Sequence, residues 1–259
     1  MTDNVDTVLS LIKNFILTSK YRQLWYIKNL KRQFMENGYV YLPNLFSSEC
    51  FSTLKQEALK LENHAINRNY FAEETSTPRN MQVIGGRKLV EVSPLFLIIY
   101  LHHELRNFIQ LATDSAALNS ENEREVFGVH YMTNTKNTHG WHLDDGPFIL
   151  VLFLQSPEIG EGGLMECITD WDIIKQQQNF KEDQNLESHI DLCRKKGLVK
   201  KFYHAEGDAY LLAGNKILHR VSPITKPNRK RIIFVSSYLE TPNAEFTSRV
   251  TGLYDEPKG

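Results

Sequence analysis

Length, composition and charge exclude several classes of protein at the outset. The chain has 259 residues, of which 41% are hydrophobic and 24% charged, enough for one large domain with its own core over residues 1–259. It carries 30 Lys and Arg residues against 31 Asp and Glu residues, and its formal net charge is -1. This balance argues against nucleic acid or an anionic membrane as the main partner, so a small-molecule substrate is expected.

Cysteine usage and the N-terminal residues indicate a cytoplasmic protein. The three cysteines, Cys50, Cys167 and Cys193, are odd in number and lack metal-ligand spacing, which argues against a disulfide framework and fits a reducing compartment. The first residues are acidic, and the apolar stretch that follows is interrupted by Lys13 and Asn14. We therefore expect neither a signal peptide nor a membrane-spanning segment.

The first part of the chain, residues 1–120, is predicted to be mostly helical. Apolar side chains recur there at helical spacing in three segments, residues 6–16, 21–37 and 96–117. Gly38 ends the second helix and precedes a short strand, and Ser47 opens a further helix. Residues 72–87 are rich in Thr, Ser, Arg and Gly and are expected to form an irregular loop.

Short apolar runs separated by turn residues predict strands in the second part of the chain. These runs are residues 126–132, 148–155, 163–168, 209–213 and 231–239. Because they do not alternate with helices, we expect a mainly β domain with flanking helices (α+β), a jelly roll with its core at residues 121–240. Residues 170–201 are polar with helical spacing, which predicts a helical insert. We interpret it as a solvated connection, and a lid over the site is the alternative.

Two histidines and one aspartate form a candidate metal site. His142 and Asp144 stand two positions apart, so from one strand they would project the same way. His219 comes 75 positions after Asp144 (219 minus 144), and only the fold can bring it to them. Two histidines and one carboxylate on one face of an octahedron are typical of non-haem Fe(II) enzymes, which bind cosubstrate and dioxygen opposite. We expect these three residues to be the metal ligands and the catalytic centre.

An arginine at the start of the last predicted strand adds a group that can bind a carboxylate. Arg231 follows His219 by 12 positions (231 minus 219), and its planar guanidinium can form paired hydrogen bonds. A 2-oxo dicarboxylate could chelate the iron at one end and meet Arg231 at the other. Arg229 is the alternate choice, because strand alternation would put both arginines on the same face.

Two other uses of this site stay open. A zinc hydrolase can also combine His, Asp and His ligands with an open position, although it does not need the arginine. A non-catalytic metal-binding barrel is the second alternative.

Of the other histidines, His130 is expected to be a satisfied core residue. The sequence His-His-Glu at 102–104 lacks the second histidine of the zinc motif and is expected on a helix surface.

These motifs resemble the Fe(II)/2-oxoglutarate-dependent dioxygenases, which are double-stranded β-helices of the jelly-roll or cupin-like type. The likeness rests on His142-x-Asp144 followed by His219 and Arg231, and it extends over roughly residues 30–240. The resemblance implies Fe(II) as the metal, with 2-oxoglutarate and O2 as cosubstrates.

A narrower resemblance concerns the segment around the first ligand. His139-Gly-Trp-His142-x-x-Asp145 is similar to the BesD-type free amino-acid (lysine) halogenases and their hydroxylating relatives. Halogenases of that group have Gly where this chain has Asp144. The retained carboxylate therefore implies hydroxylation, because no coordination site is left vacant for a halide.

The narrower resemblance also implies a substrate and the residues that bind it. The substrate would be a free basic amino acid, L-lysine first, hydroxylated at a side-chain methylene; arginine and ornithine are alternatives. A cationic amino acid needs one positive clamp at its carboxylate and negative partners for its ammonium groups. A homodimer is the assembly that we consider for such an enzyme. By this resemblance the carboxylate is held by Arg79 and His139, the amino groups by Glu125 and Asp145, with a hydroxyl contact from Ser237.

Overall fold

Helices surround a β-sheet in this protein. The computed structural model describes residues 10–72 except residue 12, and residues 75–120, 127–180, 186–242 and 251–254. Of the helix predicted over residues 6–16, residues 10, 11 and 13 are helical, residues 14–16 are not, and residues 6–9 and 12 lie outside the described part of the chain. None of the described helices is long and apolar enough to cross a membrane. They are α1 (Leu24–Asn37), α2 (Ser48–Leu61), α3 (Gly86–Val92), α4 (Leu95–Leu101), α5 (His103–Thr113), α6 (Trp171–Gln177), α7 (Leu186–Lys195) and α8 (Thr251–Tyr254), with short 3-10 helices at Ser19–Arg22 and Glu62–His64.

All five predicted strands are present, and two of them, residues 148–155 and 231–239, have the predicted bounds. The described strands are β1 (Tyr39–Leu42), β2 (Ile66–Ala72), β3 (Thr77–Gly85), β4 (Leu118–Asn119), β5 (Phe127–Met132), β6 (Thr138–His142), β7 (Phe148–Gln155), β8 (Met165–Ile168), β9 (Lys200–Phe202), β10 (Ala209–Leu212), β11 (Leu218–Val221) and β12 (Arg231–Leu239).

The strands pair antiparallel in one curled sheet with a jelly-roll order. The order is β1-β10-β7-β12-β5-β3-β6-β11-β8-β9, with β2 beside β3 and β4 beside β12. Strands β5, β12, β7 and β10 form one layer, and β6, β11, β8 and β9 form the other. Strand β3 joins them, because residues 82–85 pair with β5 and residues 79–80 pair with β6. This is the predicted double-stranded β-helix.

Two predicted helix boundaries are confirmed. Gly38 adopts the left-handed conformation with φ of +62°, and its amide donates to the Phe34 carbonyl at 2.7 Å, which ends α1. Glycine takes this conformation without steric cost. At the start of α2, the Ser47 hydroxyl accepts a hydrogen bond from the Cys50 amide at 3.3 Å. Both helices therefore end or begin where the capping residues indicate.

The single helix expected over residues 96–117 is wrong, because the chain forms α4 and α5 with a break between them. His102 stands at the break with extended backbone angles, φ -63° and ψ 126°. Its Nδ1 accepts a hydrogen bond from the Glu104 amide at 3.3 Å and so caps α5. A local side-chain cap competes here with continuation of the helix.

The expectation that residues 102–104 lie on a helix surface is also wrong for two of the three. His102 and Glu104 are buried. The Glu104 carboxylate accepts hydrogen bonds from the amides of Ile16 at 2.6 Å and Leu17 at 3.1 Å. The N-terminal segment thus covers this helix, and the carboxylate satisfies its backbone donors.

The irregular loop expected over residues 72–87 is wrong as well. Strand β2 ends at Ala72, and β3 occupies Thr77–Gly85. Although β3 is polar in sequence, it pairs with β2, β5 and β6, so neighbouring strands satisfy its backbone groups. Tertiary pairing overrides local strand propensity in this segment.

The insert at residues 170–201 contains α6, α7 and the start of β9, and it packs outside the sheet. Its residues Trp171, Ile174, Ile190 and Cys193 form a small core with Trp141 of β6 and Leu218 of β11. None of its residues in the described part of the chain lines the cavity that lies between the two layers. The insert therefore packs against the face of β6 and β11 that points away from the cavity.

Candidate active site

The candidate metal ligands meet where β6 and β11 lie side by side. His142 ends β6 and pairs in register with His219 of β11. Asp144 lies in the turn after His142, so the expectation that both project from one strand is wrong. Its carboxylate oxygens nevertheless lie 3.6 Å from His142 Nε2 and 3.3 Å from His219 Nε2. One ligand atom from each residue lies within 4.8 Å of the others, a spacing that one metal ion can bridge.

Backbone carbonyls orient both histidines. His142 Nδ1 donates to the Gly140 carbonyl at 2.7 Å, and His219 Nδ1 donates to the Ile217 carbonyl at 2.9 Å. A histidine that donates through Nδ1 presents its Nε2 lone pair to a metal. Burial lowers the pKa of His142 well below its ordinary value. That ring is therefore held in the neutral form that binds metals.

The backbone at Gly214 comes close to Asp144 and fixes its position. Its amide donates to the carbonyl of Gly214 at 3.0 Å. A Cβ added at position 214 would lie 2.8 Å from both Cβ and Oδ2 of Asp144, closer than side-chain atoms pack. Glycine at 214 therefore leaves the carboxylate room to face both histidines.

Arg231, the first residue of β12, is a buried cation. Its side chain is 1% exposed, and its Cζ lies 4.9 Å from the centre of the Phe153 ring. Its Nε and Nη2 have no hydrogen-bond partner among the described residues. Burial lowers the pKa of Arg231 to about 10, which still leaves it charged at neutral pH. Because an unpaired buried charge is costly, this environment favours an anionic ligand.

The structure separates Arg231 from Arg229. Arg229 precedes β12, is exposed, and its Nε donates to the Glu161 carboxylate at 2.7 Å. The expectation that both arginines share a face is wrong, because the strand begins only at Arg231. Arg229 is thus a surface ion pair.

The three candidate ligands and Arg231 open into one cavity between the layers, with a volume of about 90 Å³. Alternate residues of β12, from Arg231 to Ser237, line it as strand alternation predicts, and Ser236 lines it as well. Much of the wall is apolar, a lining typical of small-molecule sites. The apolar wall includes Phe127, Met132, Val151, Ile233 and Val235.

Three of the predicted substrate contacts, His139, Asp145 and Ser237, line this cavity. His139 stacks on His142 with ring centres 3.9 Å apart. Burial lowers the pKa of His139 well below its ordinary value, so its ring is a neutral hydrogen-bonding group. The Ser237 hydroxyl is buried without a hydrogen-bond partner in the described part of the chain.

The other two predicted substrate contacts are Arg79 and Glu125. Arg79 is not among the described residues that line the cavity. It pairs in register with His139 from β3, where a loop was expected. Its guanidinium is buried and donates to Thr77 Oγ1 at 3.0 Å and to the Gly140 carbonyl at 3.4 Å. Glu125 lies outside the described residues.

Sequence reasoning missed several residues of the cavity wall, among them Tyr254 and Tyr210. Tyr254 of α8 reaches the cavity, and its hydroxyl lies 2.6 Å from His130 Nε2, so His130 is both satisfied, as predicted, and a wall residue. The carbonyl of Leu253 accepts from Arg68 Nε at 2.6 Å, which fixes this helix. No local motif marks Tyr254. Tyr210 also lines the cavity, and strand alternation within β10 is the signal that could have found it.

Comparisons with solved structures support the fold. The epimerase SnoN from nogalamycin biosynthesis, described as non-haem and α-ketoglutarate-dependent, is 14% identical, with a TM-score of 0.61 over 90% of both chains. A prolyl hydroxylase from Trichoplax adhaerens is 15% identical, with a TM-score of 0.55 over 86% of this chain and 96% of its own. HygX from Streptomyces hygroscopicus, solved with nickel, 2-oxoglutarate and hygromycin B, is 11% identical, with a TM-score of 0.54 over 83% and 87%.

Sequence comparison defines the family. A search of curated proteins gave no significant match. The sequence model of the halogenase D family matches residues 23–251, which is most of the chain. The chain therefore belongs to the halogenase D family.

Proposed function

We propose that this chain catalyses Fe(II)- and 2-oxoglutarate-dependent hydroxylation of a side-chain carbon of a free basic amino acid, with L-lysine as the first candidate. The observation that carries this proposal is the cavity that His142, Asp144 and His219 share with Arg231, whose Nε and Nη2 have no hydrogen-bond partner among the described residues. Three buried free cysteines fit action in a reducing cytoplasm.

The donor set fits Fe(II). Two neutral imidazole nitrogens and one carboxylate are the facial ligand set of non-haem Fe(II) oxygenases, which leaves coordination positions for other ligands. His142 and His219 are already turned toward Asp144 by their backbone hydrogen bonds. A structure of SnoN with Fe3+ and α-ketoglutarate, on the same fold, supports this choice of metal.

Arg231 fits the distal carboxylate of 2-oxoglutarate. It brings a buried positive charge to the cavity that the metal ligands share, with two donors, Nε and Nη2, that no described residue accepts from. A dicarboxylate would satisfy those donors with paired hydrogen bonds. A zinc hydrolase or a non-catalytic metal-binding barrel leaves this arginine without a role, so both alternatives are less well supported.

Asp144 favours hydroxylation over halogenation. When bound, iron, 2-oxoglutarate and O2 together supply the oxidant for an unactivated C–H bond. The carboxylate of Asp144 faces both histidines and would supply the third protein ligand to a bound metal. This position would have to be vacant for a halide ligand.

The surrounding polar groups favour a zwitterionic, cationic substrate. Asp145 supplies negative charge at the cavity, and Glu125 is proposed as a second acidic contact. His139 and the hydroxyl of Ser237 supply neutral hydrogen-bonding groups. Arg79, opposite His139 in the sheet, is the proposed source of positive charge toward the substrate carboxylate. Free arginine and ornithine also carry a carboxylate and cationic groups, so both belong among the amino acids that test the proposal.

Two measurements test the proposal. Anaerobic addition of 2-oxoglutarate to the Fe(II)-loaded protein should give a weak visible charge-transfer band, which appears only when the 2-oxo acid chelates the metal. Turnover over a panel of free amino acids should then give succinate and a product heavier by one oxygen atom, first with lysine. No band together with no succinate would refute the oxygenase proposal. A chlorinated product would refute the argument from Asp144.

A further inference from the structure

A cluster of aromatic side chains packs against the side chain of Arg231. We define this cluster as Tyr39, Phe153, His204 and Tyr210. Phe153 is the central ring, because Arg231 Cζ lies 4.9 Å from its centre and the His204 ring stacks on it at 4.6 Å with an interplanar angle of 14°. Tyr210 packs against His204 with ring centres 4.9 Å apart. The cluster brings no negative charge to the arginine.

The position of His204 is fixed by several contacts. Its Nε2 lies 2.8 Å from the hydroxyl of Tyr39. The loop that carries it is tied to Phe153 by two backbone hydrogen bonds, from the Phe153 amide to the Asp208 carbonyl and from the Gly207 amide to the Phe153 carbonyl, both 2.9 Å long. Phe153 and His204 are both buried. The two rings therefore form a rigid stack.

A buried arginine binds a carboxylate well only if its guanidinium plane is held in the right orientation, and a rigid aromatic stack can hold it. The guanidinium binds a carboxylate through two parallel hydrogen bonds only when its plane is correctly oriented, and its long side chain has many rotamers. In the described residues, Nε and Nη2 of Arg231 have no hydrogen-bond partner that could set this plane. The face of a neighbouring aromatic ring attracts a cation, and more strongly when water is excluded.

We propose that Phe153 and His204 are positioning residues for Arg231, with Phe153 holding the guanidinium and His204 holding Phe153 in place. This inference rests on the proposed function, in which Arg231 binds the distal carboxylate of 2-oxoglutarate. Neither residue lines the cavity in which the cosubstrate would bind. Their effect on its affinity passes through the arginine.

Calorimetric titration of 2-oxoglutarate into the anaerobic, Mn(II)-loaded full chain tests the proposal. The variants Phe153→Leu and His204→Ala should each raise the Kd for 2-oxoglutarate about tenfold. His204→Phe retains a stacking ring and should stay within about twofold of the wild type. The Kd for Mn(II) should not change in any of them. In turnover, the KM for 2-oxoglutarate should rise while kcat and the KM for the amino acid stay close to wild type.

His189→Ala is the matched control. His189 is also buried, and it stacks on Phe180 at 3.7 Å and 12° within the insert. This variant should lower the free energy of unfolding without changing the Kd for 2-oxoglutarate. An equal change in Kd for His189→Ala and His204→Ala would mean general destabilisation and would overturn the proposal. If His204→Ala does not fold, Phe153→Leu decides the question.

Arg231→Gln separates failure of this inference from failure of the proposed function. If Arg231→Gln leaves the Kd for 2-oxoglutarate unchanged, the assigned role of Arg231 is wrong and the proposed cosubstrate site falls with it. If Arg231→Gln weakens binding but Phe153→Leu and His204→Ala stay within about twofold of wild type, only the positioning role is wrong.

Discussion

Asp144 carries the choice of reaction at the scale of a single residue. Its carboxylate faces both histidines, so Asp144→Ala removes one of three protein ligands. We expect the Kd for Fe(II) or Mn(II) to rise by at least about a hundredfold. Even the loss of a residue that only hydrogen-bonds to a ligand lowers metal affinity about tenfold or more. Hydroxylation should be lost in parallel. Metal titration and product analysis by mass spectrometry measure the two effects.

Asp172→Ala is the control for this prediction. Asp172 is an exposed aspartate on α6, where its carboxylate pairs with Lys175 at 2.8 Å. This variant should bind metal and turn over like the wild type. An Asp144→Ala protein with wild-type metal affinity would remove Asp144 from the proposed ligand set.

Gly214 gives a second prediction at the residue scale. In Gly214→Ala the new Cβ would lie 2.5 Å from Ile149 Cγ1 and 2.8 Å from Asp144 Cβ, so the turn after β6 has to move. We expect a loss of about 1–3 kcal/mol in the free energy of unfolding, typical of overpacking. Metal affinity should also fall, because the displaced group is a ligand. Urea unfolding and metal titration measure these changes, and unchanged metal affinity would contradict the proposed link between Gly214 and Asp144.

At the scale of elements, the described part of the insert supports the sheet and does not line the cavity. Helices α6 and α7 pack behind β6 and β11, the strands that carry the two histidines, and none of their described residues lines the cavity. Ile190 of α7 is fully buried there, so Ile190→Ala should cost about 2–5 kcal/mol of unfolding free energy. The KM for the amino acid should stay near the wild-type value. Urea unfolding and steady-state kinetics check both statements.

A different result would restore the lid as an interpretation of the insert. If Ile190→Ala remains folded but raises the KM for the amino acid severalfold, the insert shapes the substrate site. An exposed substitution on the same segment, Lys196→Ala, is the matched control and should alter neither stability nor KM.

At the scale of the whole molecule, buried neutral histidines make stability depend on pH. Burial lowers the pKa of both His130 and His204 from 6.5 to about 3. Between those values the unfolded chain binds more protons than the folded chain, so stability is full above pH 6.5 and falls as the pH is lowered. Each histidine should contribute about 1.4 kcal/mol per pH unit within this window.

His204→Phe tests this pH dependence, because phenylalanine keeps a ring and cannot be protonated. The free energy of unfolding, measured by urea titration from pH 4 to 7, should fall less steeply with decreasing pH in this variant than in the wild type, by about 1.4 kcal/mol per unit. Identical slopes would mean that His204 does not titrate as proposed.

Parts of the fold and site could be predicted from sequence because their signals are local. Gly38, Ser47 and the apolar runs of β7 and β12 mark their own elements. The residue types His142, Asp144 and His219 indicate metal-ligand chemistry, although only the fold brings His219 to the other two. These signals need only backbone preference, period and ligand chemistry.

The rest could not be predicted, because it depends on tertiary partners. Strand β3 is polar and forms only because β2, β5 and β6 pair with it. The choice between Arg229 and Arg231 depends on where β12 begins, and the wall position of Tyr254 depends on how α8 docks. Sequence periodicity carries no information about these contacts.

The pairing of His142 with His219 also has a kinetic consequence. The two ligands stand 77 positions apart (219 minus 142) and come together only when β11 adds to β6. Closing so long a loop has an entropic cost that must be met before any metal contact can offset it, and sheets built from such distant pairs fold slowly. We therefore predict that the metal centre is completed late in folding. Iron supplied during refolding should slow unfolding of the finished protein without accelerating its formation.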